Sequence, residues 1–244
     1  STTKRPLGIP STEDKLVQEV VRMILESIYE PTFSKSSHGF RPKRSCHTAL
    51  QQIQRQFTGV AWFVEGDIHA CFDSFDHHVM IDLLRKRIED ENFIALMWKM
   101  MRAGYMEQWV YHCTYSGTPQ GSGVSPILAN IYLSQMDDFA EALKSSFDKG
   151  NCETNRQNWG KEERRNALKL QKSAVAKLHE VPSMAACNQN YKRLFYCRYA
   201  DDFLIGVIGS QEDALAIKEQ FKEFLGKALH LEMSDEKTKI THGN

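Results

Sequence analysis

Two apolar runs near the C-terminal end of the chain predict a pair of β-strands. Residues 194–199 and 203–208 are rich in Tyr, Phe, Val and Ile and are bounded by Arg193 and Gly209, which is typical of strands. Only a short segment separates the runs, so we expect a β-hairpin with Asp201 and Asp202 at its tip. A third apolar run, 60–68, predicts another strand that ends at Asp67.

Helical periodicity is found before, between and after these strands. After Ser11 or Thr12, apolar residues recur on one helical face until Pro31, which predicts a capped amphipathic helix. Ser125 and Pro126 predict the start of another helix, with serine as the cap and proline in the first turn. Further helices are expected at 45–57, from Asp76 onward, at 93–101 and at 211–229. The mixture of helices with strands that are not adjacent in the chain predicts an α+β fold.

The helix predicted at 93–101 differs from the others in its pattern. Its sequence, FIALMWKMM, is apolar nearly all round. A helix without a polar face is usually buried. We therefore expect this helix to lie between two lobes of the protein.

Composition restricts the class of protein without identifying it. The chain has 244 residues, enough for one large domain or two small lobes, and its 31 Lys and Arg balance 31 Asp and Glu. Any basic surface must therefore be local. The six cysteines lack metal-site spacing, which favours reduced thiols in a cytosolic compartment. No apolar run reaches membrane-spanning length, and no signal peptide opens the sequence.

The adjacent aspartates at the predicted hairpin tip indicate a bound cation. One aspartate in a turn usually bonds its own backbone, but two adjacent carboxylates between apolar strands repel each other and lose water. A divalent cation removes this repulsion, and Mg²⁺ selects hard oxygen ligands. Asp67 is the candidate third carboxylate, because Asp73 and Asp76 fit local roles in a turn and as a helix cap.

Three carboxylates on one sheet can hold two Mg²⁺ ions that align an in-line attack on a phosphate. In nucleotide addition, one ion lowers the pKa of the attacking hydroxyl, and the other neutralises charge as pyrophosphate leaves. Hydrolases use the same metals. The carboxylates alone therefore leave both a polymerase and a nuclease open.

Two basic segments are candidates for contact with phosphates. The loop 34–45 reads SKSSHGFRPKRS, and residues 144–193 hold eleven Lys or Arg against five Asp or Glu, a net of +6. Each segment has two interpretations, a solvated surface or a surface that contacts phosphates. Glycine in the loop permits a close backbone approach, which suits phosphate binding.

Four ordered motifs resemble one family. Tyr199-Ala200-Asp201-Asp202 is similar to the signature tetrad of reverse transcriptases. The opening RPLGIP at 5–10, SHGFRP at 37–42, and the segment GTPQG at 117–121 with SP at 125–126 and NIYL at 130–133 together resemble the bacterial group II intron-encoded reverse transcriptases, or maturases. The resemblance covers nearly the whole chain in the family's order, apart from about 145–190.

The resemblance implies a right-hand polymerase without a thumb, with fingers in residues 1–60 and a palm in 61–244 that carries a basic insertion at about 145–190. It implies metal ligation by Asp67, Asp201 and Asp202, with Ile68 beside Asp67, and two Mg²⁺ ions with an incoming dNTP. Phe72 matches the aromatic residue that lies under the incoming sugar and excludes a 2′-hydroxyl. The implied nucleotide-binding residues are Lys4, Arg5, Lys15, Phe72, Gln120 and Ala200. The expected RNA-binding residues are Lys35, Arg41, Lys43, Arg44, Arg164, Arg165, Lys169 and Lys172.

The function implied is RNA-directed DNA synthesis in the bacterial cytoplasm. The expected partners are an RNA template with a DNA primer, dNTPs, and group II intron RNA bound for splicing and retrohoming. The alternatives are a non-catalytic RNA-binding scaffold, which has no need of three acids at one site, and a nuclease, which requires neither Phe72 nor the Pro-Gln-Gly loop. The family's helical thumb follows the last segment seen here. We expect its absence to expose apolar surface and to favour a two-fold homodimer.

Overall fold

The computed structural model describes residues 9–107, 110–112, 116–117, 122–150, 191–234 and 237–243. Its α-helices are α1 (Thr12–Tyr29), α2 (Cys46–Gln56), α3 (Cys71–Ser74), α4 (His77–Arg85), α5 (Glu91–Arg102), α6 (Ser125–Phe147) and α7 (Gln211–Ala228), and a 3₁₀ turn spans Glu30–Thr32. Its strands are β1 (Trp62–Gly66), β2 (Tyr105–Glu107), β3 (Val110–His112), β4 (Arg193–Tyr199), β5 (Asp202–Ile208) and β6 (Lys239–His242). The mixed α+β class is therefore confirmed.

Polar caps start several helices where the sequence predicts them. The Ser11 side chain accepts a hydrogen bond from the backbone of Asp14, and the Asp76 side chain caps α4 in the same way. The predicted cap of α6 is wrong by one position. Val124 is the cap residue, and Ser125 is buried inside the first turn.

The main sheet is antiparallel, with strand order β4-β5-β1-β6. Strands β4 and β5 form the predicted hairpin, with Tyr199 paired to Asp202 at its tip. Strand β1 is shorter than the predicted 60–68, because the chain leaves the ladder after Gly66 and makes one isolated bridge between Ile68 and Met233. Asp67 therefore lies just beyond the end of the central strand.

Helices α6 and α7 cover one face of the sheet, where the largest part of the core lies. Phe221 of α7 stacks on Phe203 at 5.8 Å and on Tyr196 at 6.1 Å between ring centroids. Helix α2 packs on the opposite face over a smaller apolar cluster around Phe57. The tip of the hairpin thus has supporting structure on both sides.

Helix α5 is not buried all round. Ile94, Met97 and Met101 are buried, whereas Ala95 and Lys99 are exposed. The prediction that this helix is buried between two lobes is therefore wrong. Ala95 and Lys99 lie one turn apart, on a side of the helix that is exposed to solvent. Within the described residues no helix is long and apolar enough to cross a membrane.

Candidate active site at the hairpin tip

The register of the sheet places two of the predicted carboxylates opposite each other. Gly66 of β1 pairs with Phe203 of β5 in an antiparallel ladder. Asp67 follows Gly66 on one strand, and Asp202 precedes Phe203 on the other. The two aspartates therefore occupy the next pair of opposite positions, and their side chains lie on one face of the sheet. Asp201 precedes Asp202 in the turn. The sequence therefore placed all three aspartates correctly at one end of the sheet.

The electrostatics of this end of the sheet agree with that placement. Burial raises the pKa of Asp202, and the neighbouring carboxylates of Asp201 and Asp67 raise it further, whereas Lys237 opposes them. Lys237 Nζ lies 2.6 Å from Asp67 Oδ2, and the Asp67 side chain is 14% exposed. A lysine thus supplies positive charge where the sequence predicted a metal ion.

The predicted three-carboxylate metal centre is not preassembled. Among the described residues, no three His, Cys, Asp or Glu side chains are gathered into a group that could hold a metal ion as they stand. The donor chemistry nevertheless fits Mg²⁺, because Asp67, Asp201 and Asp202 offer hard carboxylate oxygens at adjoining strand ends. Their mutual repulsion, seen in the raised pKa of Asp202, is the condition that a divalent cation relieves. Ile68, the other predicted metal residue, has a buried side chain.

A groove of about 430 Å³ opens from the aspartates along the face that α2 covers. The exposed carboxylate of Glu65 lines it on the same sheet face as Asp67. Its walls are mainly apolar and include Leu50, Ile53 and Leu204. Sequence reasoning missed Glu65 and Lys237, although the alternation of side chains along β1 could have placed Glu65 on the face of Asp67.

The turn between the two strands has an unusual backbone conformation. Ala200 has a φ of +58°, in the left-handed region that costs energy for a residue with a side chain. Arg198 Nη1 donates a hydrogen bond of 2.8 Å to the Ala200 carbonyl oxygen. The sequence predicted Ala200 as a nucleotide contact and did not single out Arg198.

The loop 34–45 is docked against this hairpin. The backbone N–H of His38 donates to Arg198 O at 2.9 Å, and that of Arg198 donates to Ser36 O at 2.8 Å. A Cβ added to Gly39 would lie 2.2 Å from Ala200 N. The close approach that glycine permits here is therefore to the hairpin turn.

Arg41 also differs from its prediction as an RNA-binding residue. Its side chain is 4% exposed, and its guanidinium donates to the Glu30 carboxylate and to the carbonyls of Ser34 and Ser37. Arg41 is thus a buried cross-link inside the loop, because that loop folds back on the start of the 3₁₀ turn. This corrects its assignment to an exposed basic surface.

The other basic residues of the loop do reach solvent. Lys35 and Lys43 are exposed, and the half-buried Arg44 donates to Lys35 O at 2.5 Å. Lys15 is exposed on α1, one turn before Gln18, whose side chain accepts from the backbone of Gly123 at 3.0 Å. The predicted site residues Lys4, Arg5, Gln120, Arg164, Arg165, Lys169 and Lys172 lie outside the described residues.

Phe72 lies on the same side of the molecule as the loop and the hairpin tip. Its half-buried ring meets Phe40 edge-on at 6.1 Å and Phe75 at 5.9 Å between centroids. A Cβ added to Gly117, which has a φ of +78°, would lie 2.5 Å from the Phe72 carbonyl oxygen. Phe72 is therefore held between an exposed aromatic ring, a buried one and the backbone at Gly117.

Comparison with known proteins decides the family. The family model "Reverse transcriptase (RNA-dependent DNA polymerase)" matches residues 1–244, the whole chain. The chain belongs to the reverse transcriptase family. Within the family it is similar to the Group II intron-encoded protein LtrA of Lactococcus lactis subsp. cremoris, with 48% identity over 100% of this chain and 43% of that protein.

Other relatives of this reverse transcriptase are also intron proteins. The Putative COX1/OXI3 intron 1 protein of Saccharomyces cerevisiae is 41% identical over 97% of this chain and 29% of its own length. Nuclear intron maturase 1, mitochondrial, of Arabidopsis thaliana is 24% identical over 96% of this chain and 39% of its own length. The chain therefore spans less than half the length of these relatives.

Solved structures agree with the fold. A telomerase from Candida albicans, in complex with a fragment of telomeric RNA, superposes with a TM-score of 0.55 over 93% of this chain and 34% of that chain. The two sequences are 12% identical, so the likeness shows the polymerase fold alone. The resemblance to intron-encoded reverse transcriptases predicted from the four sequence motifs is confirmed.

Proposed function

We propose that this chain is the catalytic core of an RNA-directed DNA polymerase that extends a DNA primer on an RNA template. The observation that carries the proposal is the opposition of Asp67 and Asp202 at the end of the β1–β5 ladder, with Asp201 beside them. Like charges directly opposite on a sheet are destabilising. An arrangement that persists against this cost is expected where the charges bind a ligand.

Asp67, Asp201 and Asp202 are the residues that would hold Mg²⁺, and Ile68 adds a backbone carbonyl beside them. When bound, the cations supply charge neutralisation at the attacking hydroxyl and at the departing pyrophosphate. The chain itself holds the carboxylates on one rigid sheet end, which positions the reacting phosphate. Lys237 Nζ bonds the Asp67 carboxylate in the structure, so a cation held by Asp67 would supply the positive charge that the lysine supplies here.

Phe72 serves as the wall under the sugar of the incoming dNTP. Its ring has no hydrogen-bonding group and is large and rigid, so a 2′-hydroxyl meets a surface that cannot satisfy it. Phe40 and Phe75 limit the movement of the ring. Lys4, Arg5, Lys15, Gln120 and Ala200 complete the proposed nucleotide site.

Among the described residues, the proposed RNA surface consists of cations that reach solvent rather than buried ones. Lys35, Lys43 and Arg44 on the loop, together with Arg164, Arg165, Lys169 and Lys172, make up the proposed RNA surface, and Arg41 is left out because it is buried. The relatives named above are encoded by or named for introns. We therefore include group II intron RNA among the partners, in splicing and retrohoming, and place the protein in the bacterial cytoplasm.

A non-catalytic RNA-binding scaffold is the second candidate. The ion pair between Lys237 and Asp67 favours it, because a scaffold that needs no metal can keep such a pair permanently. The polymerase is the better proposal, because a scaffold gains nothing from placing Asp202 beside Asp201 and Asp67, where burial first and these carboxylates second raise its pKa.

Primer extension separates the two candidates. The full-length protein is incubated with an RNA template, a DNA primer, dNTPs and Mg²⁺, beside its Asp202→Asn variant. A polymerase extends the primer, and the variant does not. Equal extension by both proteins contradicts the metal role of Asp202, and no extension by either protein favours the scaffold.

A further inference from the structure

Arg198, the residue before the last in β4 and two positions before Ala200, is the most completely bonded side chain at the site. It is 0% exposed. A guanidinium has five N–H donors in a fixed planar arrangement, and each has an acceptor here. Nε and Nη2 bond the two carboxylate oxygens of Asp137 at 2.8 and 2.7 Å, and Nη2 also bonds Ser37 Oγ at 2.8 Å. Nη1 bonds Asn130 Oδ1 at 3.2 Å and the Ala200 carbonyl oxygen at 2.8 Å.

These acceptors come from three separate parts of the chain. Asn130 and Asp137 lie seven positions apart on α6, about two helical turns, and so project from one face of the helix. Ser37 belongs to the docked loop, and Ala200 to the turn itself. Asn130 Nδ2 also donates to Gly39 O at 2.9 Å, so helix, loop and turn are joined around one cation.

Stability alone does not account for this arrangement. Burial acts to lower the pKa of Arg198, but the ion pair with Asp137 more than offsets it and the pKa is raised. Replacing such a buried ion pair by apolar residues of similar volume is often neutral or stabilising. A planar fork can, however, fix several acceptors at defined angles, which apolar side chains cannot do.

We propose that Arg198 and Asp137 are positioning residues that set the geometry of the Asp201–Asp202 turn. The Ala200 carbonyl belongs to the peptide that leads into Asp201, and Arg198 holds it directly. Ala200 adopts a φ of +58°, a conformation that must be enforced by its surroundings. Asp137 orients the guanidinium, and Gly39 closes against the Ala200 backbone from the other side.

This inference rests on the proposed function, because it takes Asp201 and Asp202 to be the catalytic carboxylates. Its consequence is a change in kcat rather than in nucleotide affinity. Within the proposed nucleotide site Arg198 bonds only the backbone carbonyl of Ala200, and among the described residues no hydrogen bond joins the pair to Lys15 or Phe72. A displacement of catalytic groups of about 1 Å can reduce a rate about 100-fold.

The test replaces the ion pair by apolar residues in the full-length protein, as the double variant Arg198→Met with Asp137→Leu. We expect it to fold, with kcat for dNTP addition reduced at least about tenfold and KM for the dNTP within about twofold of the parent value. A crystal structure of the variant should show Ala200 leaving the left-handed region. Parental kcat with an unchanged turn would overturn the proposal.

Tyr196→Phe is the matched control. The Tyr196 hydroxyl donates to Asp137 Oδ1 at 2.8 Å, next to the guanidinium, and its removal leaves the five bonds of Arg198 in place. This variant should keep the parental kcat. A loss equal to that of the double variant would make the effect one of general packing and contradict the positioning role.

Arg198→Lys provides a second variant if the apolar pair does not fold. Lysine keeps the charge toward Asp137 but cannot bond four separate acceptor groups at once. We expect the same fall in kcat with little change in KM, and parental kcat would again overturn the proposal. Failure of the proposed function itself is recognised separately, because the parent would then extend no primer, or Asp201→Asn would extend it as well as the parent does.

Discussion

Asp202 combines two properties that a purely structural residue would not combine. Its carboxylate faces Asp67 across the sheet, and the pKa of the group is raised by burial and by its acidic neighbours. At neutral pH the ionised form therefore opposes folding in the absence of a cation, since stability tied to a raised carboxyl pKa is lost as pH rises through that pKa. Without a cation the carboxylates repel each other, and a bound cation would remove this repulsion.

Asp202→Asn should consequently hold or raise the stability of the metal-free protein while it abolishes primer extension. The amide removes one negative charge from the repelling group and one ligand from the metal site. Thermal melts in EDTA, beside the extension assay, measure both effects. A clear fall in the melting temperature would show that the Asp202 carboxylate is needed for folding and would contradict the repulsion argument.

Phe72 is the second residue whose proposed role can be tested by changing a single side chain. Phe72→Ala or Phe72→Val should admit ribonucleotides, because the wall under C2′ is removed. The measurement is the ratio of ribonucleotide to deoxyribonucleotide incorporation by the full-length protein. Phe72→Tyr, which keeps the ring, serves as the control for size.

An unchanged ratio for Phe72→Ala would mean that Phe72 is only a packing residue. The half-buried ring contacts Phe40 and Phe75, so some stability is lost in either case. A fully buried Phe→Ala change costs about 3–5 kcal/mol. If Phe72→Ala loses that much stability but selects the sugar as the parent does, Phe72 acts only as a core residue.

At the level of elements, the docked loop and the hairpin form one unit. The backbone of residues 36–38 bonds both sides of Arg198, and the closest approach is at Gly39. We therefore expect a disturbance of the loop to reach the turn that carries the aspartates. Glycine is needed at this position because a methyl group would meet a backbone atom that cannot move aside.

Gly39→Ala should reduce both stability and primer extension, since the new Cβ would lie 2.2 Å from Ala200 N. Gly226→Ala is the matched control, because a Cβ there meets nothing within 4 Å. That change lies inside α7, and a helical Gly→Ala replacement stabilises by about 0.5–1 kcal/mol. If Gly39→Ala is as active and as stable as the control, the loop does not support the turn.

At the scale of the whole molecule, zero net charge conceals an uneven distribution. The excess of +6 in residues 144–193 must be balanced by acidic segments elsewhere in the chain. Backbone contacts by such a segment release counterions from RNA, so binding is expected to weaken steeply with salt. Sequence preference should depend little on these contacts, because phosphate contacts position rather than specify.

Reversal of Arg164, Arg165, Lys169 and Lys172 to Glu should therefore lower the affinity for structured RNA and flatten its salt dependence. The slope of log K against log salt should fall by roughly 0.7–0.9 for each RNA phosphate that the variant no longer neutralises. The control reverses four exposed cations from elsewhere in the chain, Arg85, Lys86, Lys99 and Lys227, with the same change in net charge. Equal effects of the two sets would mean that only overall charge matters.

Self-association is the second prediction at the scale of the whole molecule. Helix α1 exposes an apolar stripe made of Leu16, Val17, Val20, Met23 and Ile24. Contiguous exposed apolar surface marks interaction sites, and a two-fold dimer is the commonest closed arrangement. We expect this surface to be where a second copy binds.

Val20→Lys with Met23→Lys should convert the dimer to a monomer in light scattering at micromolar concentration. Leu215→Lys is the control, because Leu215 is a comparably exposed apolar residue, at 47%, on α7. A parent protein that is monomeric throughout the concentration range would end the dimer hypothesis. Dimers that persist in the double variant would place the interface elsewhere.

Local patterns were sufficient for the elements that carry the site. The hairpin with its acidic tip, the strand that ends before Asp67 and the capped helices α1 and α4 follow from residues adjacent in the chain, because strand alternation and capping act over a few positions. Motif order was sufficient for the family. None of these inferences required knowledge of contacts between residues that are far apart in the chain.

Only the tertiary structure decided how the site is supported. The bond from Arg198 to Ser37 joins residues 161 positions apart, and that from Lys237 to Asp67 joins residues 170 positions apart. The burial of Arg41 and the close approach of Gly39 to Ala200 likewise depend on where the loop folds back. A basic residue in a loop has the same sequence signature whether it faces RNA or a buried carboxylate. The difference is made by burial, which determines whether its charge is satisfied by solvent, by a ligand or by the protein itself.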